Sequence, residues 1–217
     1  MTDFLAATRA FYDTVADDYA DHFRGYLANR PLERGLLAAY AELVGRGGTV
    51  ADLGCGAGWT TTLFASLGLD VFGLDLSASM LAIARREHPE LRFEQGSMLE
   101  LDLPDGKLAG VVAWYSTIHT PDDRLPALFA ELHRVTAPGG HLLLAFQTGE
   151  EPRHLDRPWG HPVALDFHRR SPERMAELLT DAGFTLVSRT VRERDEQADE
   201  SAPQAFLIAR KAAATDA

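Results

Sequence analysis

The sequence predicts an α/β fold in which a mostly parallel sheet lies between two layers of helices. Three observations predict it. Short apolar runs alternate with segments of helical periodicity between residues 49 and 147. Runs such as HLLLAFQ (141–147) are apolar almost throughout, which suits parallel strands covered on both faces. A glycine-dense turn, GCGAG at 54–58, joins the first of these runs to a helical segment. With 217 residues, 46% hydrophobic and 24% charged, the chain fits one globular domain with a sizeable core.

In chain order, Phe4, Leu5, Phe11, Val15, Tyr19 and Phe23 recur at near-helical spacing. Tyr12 and Tyr19 lie seven positions apart, two helical turns, and so share a face. That face either reaches a ligand or packs as a core-facing aromatic stripe. Pro31 suits a helix first turn, and the helix expected over 32–44 stops at Gly45, Gly47 and Gly48. A strand over 49–53, a helix over 59–67 and a strand over 70–75 follow. Ser77 is a good N-cap for a helix over 78–87, which Pro89 ends. Strands are expected at 91–95 and 108–115, and a helix from 121 to about 136 that tolerates Pro126 in its first turns. Ala137-Pro138-Gly139-Gly140 reads as a sharp turn before the strand 141–147.

Residues 148–170 break the alternation with Pro152, Pro158, Trp159, Gly160, Pro162 and the histidines His154, His161 and His168. A long insert here is where substrate specificity usually resides. Ser171-Pro172-Glu173 caps a helix over 172–182; strands over 184–194 and 204–210, joined by an acidic loop at 195–201, make a closing hairpin. The residues after Arg210 read as a frayed tail. The expected division is a helical cap (1–45), a ligand-binding core (46–147), a substrate-side insert (148–170) and a C-terminal helix and hairpin (171–211), all within one domain.

The formal net charge of −11 disfavours a phosphate-gripping groove, and so a nucleic-acid partner. One cysteine, Cys55, excludes an intrachain disulfide and a multi-cysteine metal site. The histidine spacings argue against a metal. No run approaches the roughly 20 apolar residues that span a membrane, and no basic leader precedes an apolar stretch, so the cytoplasm is the default expectation. The oligomeric state stays open.

The chemistry is concentrated around residue 54. A strand, a tight glycine loop and a helix start make a binding place for a charged ligand. The spacing is G-x-G-x-G, with Trp59 where the third glycine of a dinucleotide fingerprint would fall. Asp52 precedes the loop, and Asp75 ends the next strand, placed to accept hydrogen bonds from ribose hydroxyls. Together with the PGG turn, Asp52, Gly54, Gly56, Gly58 and Asp75 resemble the class I S-adenosylmethionine-dependent methyltransferases of the small-molecule type. The resemblance covers roughly residues 45–147. It implies a Rossmann-like sandwich with seven strands in the order 3-2-1-4-5-7-6, the seventh antiparallel.

It also implies S-adenosyl-L-methionine as cofactor and a small-molecule methyl acceptor, at oxygen or nitrogen more readily than carbon. The loop and Asp52 would hold the amino acid end, with Asp52 acting behind the loop. Asp75 would take the ribose, or else cap the following helix. Leu76 and Met80 would flank the adenine. Ser97 and Met98 stand where the family usually has an acid for the adenine amino group, a departure that puts that contact in doubt. The FYDTVADDYADHF segment resembles the family's cofactor-closing helix, which brings in Tyr12 and Tyr19.

Trp114, Tyr115 and Ser116, at the end of the fourth strand, would line the transfer site, where an aromatic face suits a sulfonium. His119 is a candidate general base, or a residue that packs on the cofactor. His154, Trp159 and His168 are candidate acceptor contacts. A nucleic-acid methyltransferase and a cofactor-binding protein without methyl transfer are the competing readings. Against the first, the fourth strand ends in WYST, not D/N-P-P-Y, and the lone cysteine sits in the cofactor loop.

Overall fold

The structure is a computed structural model that describes residues 4–196 and 200–213; part of the expected acidic loop and most of the expected tail lie outside the described residues. Its centre is a seven-stranded sheet of β1 (Thr49–Leu53), β2 (Asp70–Asp75), β3 (Arg92–Gln95), β4 (Leu108–Trp114), β5 (Thr136–Gln147), β8 (Phe184–Arg192) and β9 (Gln204–Lys211). The strand order is β3-β2-β1-β4-β5-β9-β8. The inner pairs are parallel, and β9 runs antiparallel to both β5 and β8. The expected order 3-2-1-4-5-7-6 is therefore observed. Two further strands, β6 (Arg153–Asp156) and β7 (Ala164–Phe167), form a separate hairpin inside the insert.

Helices α2 (Pro31–Val44) and α3 (Trp59–Ser66) cover one face of the sheet, where Leu37, Tyr40 and Phe64 bury against Val50, Val112 and Leu143. Helices α5 (Leu125–Val135) and α6 (Pro172–Asp181) cover the other, with Leu128, Phe129, Leu132 and Met175 fully buried on Val111, Leu142 and Leu207. Burial on both faces explains the unbroken apolar runs. Helix α4 (Ala78–Glu87) starts at Ser77, whose hydroxyl accepts from the Met80 amide at 3.1 Å. Helix α1 (Phe4–Phe23) lies across α4 and the strand ends, not on the sheet itself.

Two boundaries differ from expectation by more than two residues. The PGG stretch is not a sharp turn but part of β5, which pairs with β4 across a register shift between Leu108 and Gly110. A Cβ on Gly140 would stand 2.9 Å from the Ala137 carbonyl oxygen, so the bulge needs glycine there. The helix expected from residue 121 begins at Leu125, after a 3₁₀ turn over Asp122–Arg124. Pro126 donates no amide hydrogen and would clash with the carbonyl four residues earlier, so the α-helix starts around it.

Candidate functional site

The sheet reverses direction of growth between β1 and β4, and the candidate site lies beyond their carboxyl ends, where ligands bind in open α/β sheets. Two adjoining cavities open there and share Tyr12, Tyr19, Gly54, Gly56, Trp114 and Tyr115. The inner cavity is bounded by Asp75, Leu76, Met80, Ser97 and Met98, and roofed by Phe4, Leu5 and Thr8 of α1. The outer one extends to α2, the end of β5 and the β6–β7 hairpin.

Each loop glycine does a different job. Gly54 has φ +74, and a Cβ there would fall 2.3 Å from that of Ser116. Gly56 has φ +54 with open space where a Cβ would go, so its backbone faces the cavity bare. Gly58, at φ +87, is the N-cap of α3; a Cβ would strike the Phe93 ring at 2.8 Å. Gly58 thus serves packing and does not line either cavity.

Asp75 is buried at the end of β2. One carboxylate oxygen accepts from the Gly56 amide at 2.8 Å and the other from the Ser77 amide at 2.9 Å. Burial pushes its carboxyl above the usual range, against those amide bonds. It therefore ties the glycine loop to the start of α4 and keeps lone pairs for a ligand. Asp52 is 1% exposed and lines no cavity. Its carboxylate accepts from the Thr61 hydroxyl at 2.6 Å, and burial raises its pKa to about 7. It braces α3 against β1 behind the loop.

His119 and Tyr12 meet at the inner cavity. The Tyr12 hydroxyl lies 2.9 Å from His119 Nε2, and His119 Nδ1 lies 3.2 Å from the Asp166 carbonyl oxygen on β7. A carbonyl only accepts, so Nδ1 carries the proton and Nε2 accepts from Tyr12. Burial lowers His119 to about 4, and the imidazole is neutral at ordinary pH. Tyr115 follows β4 with φ 55, an unusual left-handed conformation for a bulky residue at a cavity wall.

Residues 50–140 match the family described as "Methyltransferase domain". Over that stretch and in its fold the chain is similar to S-adenosylmethionine-dependent methyltransferases. It is similar to a malonyl-[acyl-carrier protein] O-methyltransferase of Pectobacterium atrosepticum, 36% identical over 61% of this chain and 51% of the relative. It spans about half the length of the curated relatives it matches first (51%, 53% and 44%). Among solved structures it resembles one titled "DhpI-SAH complex structure", with TM-score 0.76 at 25% identity, covering 98% of both chains. The fold is also that of a Burkholderia thailandensis 1,6-didemethyltoxoflavin-N1-methyltransferase, TM-score 0.73 at 22% identity, covering 97% of this chain and 89% of that one.

Of the residues singled out from the sequence, Gly54, Gly56, Asp75, Leu76, Met80, Ser97, Met98, Trp114, Tyr115, Ser116, His119, Tyr12 and Tyr19 all border the inner cavity. Ser97 Oγ accepts from the Leu99 amide at 3.2 Å, and Ser116 Oγ is buried without a partner among the described residues. Trp114 donates from Nε1 to the Tyr26 hydroxyl at 2.6 Å and stacks on Phe206. Trp159 borders the outer cavity from the hairpin tip, where it has φ 49 and meets Tyr19 edge-on.

His154 and His168 border neither cavity. His154 points outward on the hairpin, paired with Asp166 at 2.7 Å. His168 contributes its backbone amide, which donates to the Ile118 carbonyl at 2.8 Å. Among the described residues no group of three or more His, Cys, Asp or Glu could hold a metal, and no helix is long and apolar enough to cross a membrane.

Glu33 and Gln147 border the outer cavity, and Thr8 the inner, without having been expected there. Gln147 ends β5, so the strand-end rule that flags Asp75 and Trp114 would also have flagged it. Glu33 sits in a helix where a charged residue ordinarily marks the solvated face, yet it is 2% exposed.

Proposed function

We propose that this chain transfers a methyl group from S-adenosyl-L-methionine to an oxygen or nitrogen of a small-molecule acceptor. The observation that carries the reading is the pair of cavities meeting at Tyr12, Gly54 and Tyr115, one bordered by a buried carboxylate and the other by aromatic rings. The residues present fit the cofactor. Gly56 leaves its backbone face open, Asp75 offers acceptor lone pairs for two hydroxyls, and Met80, Leu76 and Met98 give apolar walls for a flat ring. When bound, S-adenosyl-L-methionine supplies an electrophilic methyl on a positively charged sulfur.

The remaining work falls to the chain's own side chains. Tyr115 and Trp114 offer π faces to a cation at the cavity junction. Helix α1 closes over the inner cavity and excludes water. Tyr12 donates to His119, so its oxygen keeps lone pairs for an acceptor hydroxyl or amine. As that group loses its proton to the Tyr12 oxygen, the Tyr12 proton moves to His119 Nε2. The Asp166 carbonyl holds the imidazole in the tautomer that allows this.

Malonyl-carrier-protein and quinone methylation are named for relatives. For this chain the outer cavity, walled by aromatic rings, favours a compact aromatic acceptor. Calorimetry with S-adenosylmethionine and S-adenosylhomocysteine, followed by a labelled-methyl screen of phenols, carboxylates and amines beside an RNA pool, tests the reading. Binding of both nucleosides and label on small molecules is the expected result. Uptake of a nicotinamide dinucleotide in their place overturns the cofactor, and label on RNA alone overturns the acceptor class.

A further inference from the structure

The outer cavity ends in a chain of ion pairs that the methyl-transfer reading does not use. Arg192 Nη2 lies 2.9 Å from Glu33 and 2.8 Å from Glu200; Arg30 lies 3.3 Å from Glu200 and 2.8 Å from Asp195. Among the described residues Glu33, Glu200 and Asp195 lie along two guanidiniums and differ in burial. Asp195 is at the wet end, with 40% of its side chain exposed, and Glu200 is held by both arginines. Glu33 is the dry end, with 3% of its side chain exposed and a single arginine that it shares with Glu200. A carboxylate that far from water stays stable only with donors around it.

Two further observations point the same way. Gln147, which borders the same cavity, has a buried Oε1 that accepts no hydrogen bond among the described residues. The neighbouring walls are the rings of Tyr26, Trp114 and Tyr115, whose faces attract cations. Of the arginines bordering the cavity, Arg30 is taken up by Glu200 and Asp195, and Arg153 sits exposed on the hairpin at the rim. Two acceptors and three aromatic rings around one end of a cavity complement a group rich in N–H and positively charged.

We propose that the methyl acceptor carries a cationic nitrogen group, an ammonium or amidinium on an aromatic body, and that Glu33 and Gln147 anchor it away from the atom that is methylated. This rests on the methyl-transfer reading and specifies its substrate class.

The test uses three matched probes with the wild-type protein saturated with S-adenosylhomocysteine: tyramine, 4-ethylphenol and 4-hydroxyphenylacetate, with affinities read by calorimetry or saturation-transfer NMR. Tyramine should bind about tenfold or more tighter than the carboxylate probe, a difference of the size expected for a desolvated charge contact. Glu33→Gln should shrink that preference to about threefold or less while S-adenosylhomocysteine affinity stays unchanged. Gln147→Leu leaves the ion pairs intact, keeps the proposal testable if Glu33→Gln fails to fold, and should also reduce the preference. Equal binding of the three probes, or preference for the carboxylate, overturns the proposal and leaves the methyl-transfer reading standing. Loss of S-adenosylhomocysteine affinity in a Glu33→Gln protein that keeps the wild-type urea midpoint also overturns it, since Glu33 would then hold the cofactor. Wild-type protein that binds no S-adenosylhomocysteine overturns both.

Discussion

Asp75 connects three things at once: the amide of Gly56, the amide of Ser77 and the floor of the inner cavity. Asp75→Ala should weaken S-adenosylhomocysteine binding by about 1–3 kcal/mol, because it strands buried donors of both protein and ligand; unchanged affinity in calorimetry would refute the ribose role. Tyr12→Phe and His119→Ala should each lower turnover about 10²–10⁴-fold, and the double variant little further, since the two groups move one proton. S-adenosylhomocysteine affinity close to wild type separates this from a binding defect. Gly54, Gly56, Asp75 and Trp114 were legible in the sequence because each sits at a strand end or in the glycine loop, whereas Tyr12 stood out only by its helical spacing from Tyr19. The Tyr12–His119 contact was not legible, since it joins positions 107 apart through the packing of α1, a distance no periodicity reports.

At the level of elements, the β1–α3 turn is the most constrained stretch. Gly54→Ala puts a methyl 2.3 Å from the Ser116 Cβ and a side chain at φ +74. It should cost about 1–3 kcal/mol of stability, read as a fall in the urea midpoint, together with a loss of cofactor affinity. Gly56→Ala meets no neighbour within 4 Å, so it should disturb the fold less and the ligand more. The core elements from β1 to β5 were legible because a buried parallel sheet writes itself as apolar runs between glycines and caps. The insert was legible only as a break in that pattern. Its hairpin is half exposed and carries no clean alternation, so β6 and β7 show themselves only once Arg153–Asp156 is seen paired with Ala164–Phe167. His154, Trp159 and His168 looked equivalent as loop residues, and the hairpin register sorts them: Trp159 inward at the tip, His154 outward against Asp166, and His168 beyond the last paired residue.

For the molecule as a whole, buried titrating groups set the response to pH. Asp52 has its pKa raised from 3.8 to about 7, so the folded state holds a proton that the unfolded chain has released, and stability falls as pH rises from about 4 to 7. Asp75 is shifted in the same direction. His119 acts oppositely: it is lowered from 6.5 to about 4, the unfolded chain takes up the proton first, and stability is lost as pH falls through that window. His133, His141 and His168 are lowered like His119, so carboxyls and imidazoles tilt the profile in opposite senses. Asp52→Asn removes one carboxyl's share, so urea titrations at pH 5 and 7.5 should show the variant losing less stability, or gaining more, than wild type as pH rises; an unchanged difference would show that Asp52 does not hold the proton.

Helix α1 also carries a kinetic consequence. Phe4, Leu5, Thr8, Tyr12 and Tyr19 form a ceiling, and Asp13 latches it to the floor: its carboxylate accepts from the Ser77 hydroxyl at 2.6 Å and the Ser79 amide at 3.1 Å. A chamber built this way trades nucleosides only when the latch releases, so emptying it, rather than bond-making, would set the pace of each cycle. An initial burst of one methylated product per protein molecule, followed by a slower steady rate that Asp13→Ala speeds up, would be the trace left by such a door.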